Sequence, residues 1–107
     1  MATITRGSQD QVVEKVRSVL DEYERAHPGA KASVYRHSSA AIRIRIVDEQ
    51  FENQSKGERH DSAWKFIGGR LTVDEIEDVS MLLLLTPDEM SRSFLNFEFD
   101  DPIPSQL

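Results

Sequence analysis

Four cations and an imidazole gather in the middle of this chain: Arg43, Arg45, Lys56, Arg59 and His60. Guanidinium and ammonium groups meet phosphate or carboxylate, and an imidazole beside them is the side chain best suited to move a proton near neutral pH. Helical spacing limits the second of these chemistries. His60 and Asp61 are neighbours on a helix, and neighbours point about 100° apart, so they form no relay. His60 lies on the apolar side of its helix and reads as a packed residue bonded to backbone. His37 falls in a hairpin tip, where a histidine is ordinarily a solvated turn residue; it is the only weak candidate for a metal ligand. No glycine-rich phosphate loop, metal-ligand spacing or nucleophile with a placed base accompanies them. The chain is therefore not expected to be an enzyme.

Arg43 and Arg45 alternate with Ile42, Ile44 and Ile46, and only a strand puts three isoleucines on one face and two guanidiniums on the other. With Lys31, Arg36, Lys56, Arg59 and Lys65 they compose a basic patch for a polyanion. The favoured alternative pairs them with Asp48, Glu49, Glu52 or the acidic helix that comes later. A polar turn follows, Asn53 to Gly57, in which Ser55 stands three residues before Glu58 as in a capping box. The helix after it carries His60, Ala63, Trp64 and Ile67 at helical spacing, leaving Arg59, Asp61 and Lys65 outside. The pattern is a strand, a turn and a helix.

A chain of 107 residues makes one domain. Residues 1–7 have no period and are expected to fray. Ser8 and Gln11 predict a capped helix with Val12, Val13, Val16, Val19, Leu20 and Tyr23 as its apolar stripe, ended by His27-Pro28-Gly29. Lys31 to Arg36 reads as a strand forming a hairpin with the isoleucine strand. Gly68-Gly69 stops the central helix. Thr72 and Glu75 cap a short acidic helix with Val73 and Ile76 inward. Met81 to Leu85 reads as a buried strand, and Thr86-Pro87-Asp88-Glu89 starts a helix of one to two turns. Phe94 to Phe99 is expected to be a last strand with Leu95, Phe97 and Phe99 on one face, before an extended tail, 100–107. If that strand lies at a sheet edge, a homodimer or a captured peptide follows through residues 94–99. Trp64 and the phenylalanines read as core.

The net charge of −6 is unevenly spread. Residues 31–65 carry seven basic and five acidic side chains, whereas residues 66–107 carry two and nine. Any polyanion would meet the middle against repulsion from the acidic end. The lack of cysteine excludes a disulfide framework, and Met81 to Leu85 is far shorter than the ~20 residues of a membrane span. A soluble, cytoplasmic protein with no membrane association is expected.

This α-β-β-α-α-β order resembles the BolA family, whose fold is a variant of the class II KH domain. The residues that carry the likeness are Ile46-Val47, Phe51-Glu52, Ser55, Arg59-His60 and Thr86-Pro87-Asp88-Glu89, across about residues 10–90. The resemblance implies an α+β sandwich over residues 8–99, with a three-stranded mixed sheet, helices on one face, and a short helix and strand appended. It also implies a non-enzymatic adaptor or regulatory domain acting through protein contacts, with a monothiol glutaredoxin as the partner. The family's cluster-ligand histidine before the last strand falls here at about Asp78. Carboxylate suits harder ions than iron–sulfur iron, so no cofactor and no cluster sharing are expected. The alternatives are a KH-like nucleic-acid module using Arg43, Arg45, Lys56 and Arg59, and a self-associating module built on the C-terminal strand. The first lacks the Gly-x-x-Gly grip of KH domains, since Gly57 has no partner glycine at the right spacing.

Overall fold

Ile42, Ile44 and Ile46 are wholly buried, and the elements of the fold are arranged around them. The computed structural model describes residues 1–103. Its sheet has four strands in the order β1 (Thr3–Ile4), β2 (Lys31–Ser38), β3 (Ala41–Val47) and β4 (Val79–Leu85). β2 and β3 are antiparallel, with Val34 opposite Ile44, while β1 runs parallel to β2 and β4 parallel to β3. The residues from Met81 to Leu85 are thus in a strand, as their apolar run suggests. Parallel pairing demands a crossover, which α2 (Lys56–Gly68) and α3 (Val73–Asp78) supply.

Alternation divides the sheet into two faces. Ala32, Val34, the three isoleucines and Leu84 pack against Val13, Val16, Leu20 and Tyr23 of α1 (Gln11–Ala26) and against Ala63 and Ile67 of α2. The other face holds Tyr35, Leu83 and Leu85 in a smaller cluster with Phe99. Phe99 belongs to α4 (Phe94–Asp100), so helices lie on both faces of the sheet instead of one.

Several local expectations are corrected. The first residues form the fourth strand. Thr5 N–H donates to the carbonyl of Val34 at 3.2 Å and Ala2 is buried, contacts that no local period announces. Asp10, not Ser8, caps α1: its Oδ1 accepts from the N–H groups of Val12 and Val13, each at 3.0 Å. Val73 opens α3 at its first turn and is 71% exposed. The segment after Thr86 is a 3-10 turn, Pro87–Ser91, with the Thr86 and Glu89 capping box in place. The expected final strand is α4. Ser93 Oγ accepts from Asn96 N–H at 3.1 Å, and once this cap forms the phenylalanines sit at helical spacing. The route to a homodimer or captured peptide through a C-terminal edge strand is removed with that strand. The end of the expected tail, 104–107, lies outside the described residues.

Candidate functional site

Arg43 and Arg45 project from β3 onto the second face of the sheet, as alternation requires, but they do not form an open basic patch. Arg43 Nη1 donates to Glu98 Oε2 at 3.1 Å and to Tyr35 Oη at 3.3 Å. Arg45 Nη1 donates to Asp100 Oδ1 at 2.7 Å and to Asn96 Oδ1 at 2.8 Å. Its guanidinium carbon stands 4.5 Å from the centre of the Phe99 ring. That ring meets Tyr35 edge-on at 4.8 Å, an arrangement in which cation, quadrupole and ring edge are all favourably placed. Arg6 adds a hydrogen bond to the carbonyl of Asp100. Glu98 is held below the usual carboxylate range, first by the N–H of Ile103 and further by Arg43. The carboxylates on Arg43 and Arg45 come from α4, not from Asp48, Glu49, Glu52 or α3; the expected pairing with α3 is made by Arg36, through Asp78. The signal that pointed this way was the strong acidic excess of the last third of the chain.

Arg59 departs further from its expected place. Residues 59, 63 and 67 form the line of α2 that faces inward, so Arg59 is only 5% exposed while His60 stands in solvent. Its Nε donates to the carbonyls of Phe51 at 2.9 Å and Gln54 at 3.3 Å. Nη1 donates to the carbonyl of Leu84 at 3.3 Å and to Glu89 Oε1 at 2.7 Å, and Nη2 reaches Glu89 Oε2 at 3.2 Å. This bidentate pair ties α2 to the end of β4 and the 3-10 turn beyond it. The Arg59 guanidinium, with help from Thr86 N–H, pulls the Glu89 carboxyl down to about 2.

The two remaining site residues are accessible. Lys56 and His60 are exposed on the outer side of α2, and the His60 ring stacks near Trp64 at 6.2 Å between centroids. Trp64 is half-buried beside the sheet-facing line, so α2 docks through Ala63 and Ile67. His37 lies within β2, at the shift of register between Arg36 and Ser38, rather than at the hairpin tip. Asp78 is occupied by Arg36 at 3.3 Å, whose Nε also holds Asp10 at 3.0 Å. Among the described residues no group of three histidine, cysteine or acidic side chains is placed to hold a metal ion, and no helix is long and apolar enough to cross a membrane.

Beyond Arg45 the second face continues into an open groove of about 1000 Å³, walled by Lys31, Val47 and Met90 together with the carboxylates of Glu24, Asp48 and Glu49. The five residues read from sequence therefore separate into two paired strand arginines under α4, one buried arginine, and two exposed side chains on α2. Compared with known family models and with curated proteins, the chain matches none.

Proposed function

We propose that this chain is a non-enzymatic adaptor or regulatory domain of the BolA-like, class II KH-like kind, acting through protein contacts. The observation that carries the reading is the order α1-β2-β3-α2-α3-β4, with β4 parallel to β3 and the isoleucine triplet beneath the helix that directly follows it. The capped turn at Ser55 supports it, since it sets the direction in which α2 returns over the sheet. Lys56 and His60 are the exposed members of the candidate set and present a cation and an imidazole next to the Trp64 ring. Glu58, Asp61 and Lys65 are exposed on the same helix, so this surface suits a protein contact of mixed charge around an aromatic ring. The resemblance makes a monothiol glutaredoxin the partner to look for. The nucleic-acid alternative has less support, because Arg43, Arg45 and Arg59 already carry their own carboxylates.

The test is affinity capture from native extract with the full chain and with a Lys56→Glu, His60→Ala double variant. A stoichiometric protein partner is expected with the first and strongly reduced recovery with the second. Equal recovery on both, or recovery of nucleic acid instead, would refute the assignment of this surface.

A further inference from the structure

We propose that the sheet face carrying Tyr35, Arg43 and Arg45 is a docking site for an acidic, aromatic segment of a partner protein, and that α4 occupies it in cis. The inference deepens the adaptor reading, on which it rests, by adding a second surface and the chemistry of what it takes.

α4 displays what the face recognises. Glu98 meets Arg43, Asp100 and Asn96 meet Arg45, and Phe99 enters between Arg45 and Tyr35. The ligand read from these contacts is one turn of helix bearing an amide, a carboxylate, a buried aromatic ring and a second carboxylate.

The occupant is held lightly. Its seven residues fall well short of the ~12–15 that an isolated helix needs. Phe99 and Asn96 are its only buried side chains, whereas Phe94 is 87% exposed, Leu95 53% and Phe97 55%. A helix that turns three large apolar groups to solvent gains little from burial. The Asp100 side chain is also more than half exposed, and ion pairs at such exposure are weak and screened by salt. Tethering compensates, because a segment joined to its own site competes at an effective concentration in the millimolar range.

The site is larger than its occupant. The groove beyond Arg45 runs on to Lys31, Val47 and Met90 and lies on the same face. A partner segment longer than α4 would meet Val47 and Met90 there as apolar walls, with Lys31 offset by the carboxylates of Glu24, Asp48 and Glu49. Its own acidic groups therefore belong over Arg43 and Arg45, and its extension is apolar. Exchange of one acidic segment for another leaves the charge balance over the arginines unchanged, so displacement does not strand a buried cation.

The probe is a fluorescein-labelled synthetic peptide of residues 93–103, titrated into the full chain. Two release variants accompany it: Glu98→Gln with Asp100→Asn, and Phe99→Ala, each checked for retained fold by circular dichroism. The native chain is expected to bind weakly, and the release variants roughly tenfold more tightly as the tethered competitor is weakened. Adding Arg45→Gln to a release variant should abolish the gain, and raised salt should diminish it. Unchanged peptide affinity in both folded release variants would overturn the proposal. Conversion of the native chain to a dimer that takes up no peptide would also overturn it, since the face would then belong to a second copy. If the peptide fails while capture still depends on Lys56 and His60, this inference falls alone and the adaptor reading stands.

Discussion

Replacing Arg59 by alanine removes five hydrogen bonds at once and tests the Arg59 latch most directly. Two of the abandoned acceptors, the carbonyls of Phe51 and Leu84, take buried hydrogen bonds from this guanidinium, but Phe51 keeps a second one from the N–H of Gln54 at 3.0 Å. The Leu84 carbonyl, left without this donor, costs about 1–3 kcal/mol. Glu89 is 30% exposed and recovers part of its solvation in water, so its share is discounted. With that discounted share added to the Leu84 acceptor, a loss of about 3 kcal/mol results, at the lower end of what breaking a buried pair usually costs. A domain of this size has about 5–15 kcal/mol in all and loses about 4–8 °C in Tm per kcal/mol, so Arg59→Ala should melt at least about 12 °C lower. Arg59→Lys retains the charge but has no planar fork to reach both carboxylate oxygens and the carbonyls, and is expected to lose about 2 kcal/mol. Glu89→Gln, which preserves an acceptor for Thr86 N–H, should lose about 1–2 kcal/mol. Urea unfolding followed by the single tryptophan, Trp64, measures all three. The reasoning is refuted if Arg59→Ala costs under about 1 kcal/mol, the range of an exposed arginine, or if the order of the three variants is reversed.

Two further outcomes follow from the same geometry. Asp10 and Glu89 are each held near 2, by Arg36 and by Arg59 respectively, below their ordinary values of 3.8 and 4.5. Because their folded-state values are depressed, the unfolded chain binds protons first as pH falls; the stabilisation is complete above about pH 4.5 and is lost toward about pH 2. Urea midpoints across that window should fall, and fall less steeply in Glu89→Gln; a parallel decline in both proteins contradicts the assignment. The second outcome concerns glycine. Gly7 has φ +77° and a Cβ there would lie 2.6 Å from the carbonyl oxygen of Arg36, whereas Gly29 at φ +99° has no atom within 4 Å. Gly29→Ala should therefore cost about 1–2 kcal/mol of backbone strain. Gly7→Ala should cost distinctly more and speed hydrogen exchange at Thr5, and equal costs would mean that the close approach is not maintained.

The fold was largely legible where its causes are local. Ile42, Ile44 and Ile46 announce a strand by their period, and Ser55 with Glu58 and Thr72 with Glu75 announce helix starts by their spacing. All of these features are present in the structure. The last helix was hidden because Leu95, Phe97 and Phe99 alternate like a strand while Phe94 and Phe97 are also three apart. A seven-residue segment satisfies either period, and the choice falls to its surroundings. Ser93 caps it, and Arg43 and Arg45 draw Glu98 and Asp100 down upon the sheet. Those arginines are more than fifty residues distant in the chain, so no local window contains both partners.

The candidate site divides in the same way. The amino-acid order determined by itself which residues carry charge, which face of β3 they leave by, and that the acidic excess lies near the C-terminal end. Whether a given cation would be free or paired was decided only by the tertiary structure. Arg59 shows why: a guanidinium enters the interior when a bidentate carboxylate and several backbone carbonyls converge on it, and these come from the turn before α2, from β4 and from residue 89. Hydrophobic period and capping act over a few residues, while the pairing of charges acts through space, and space is set only once the sheet has closed.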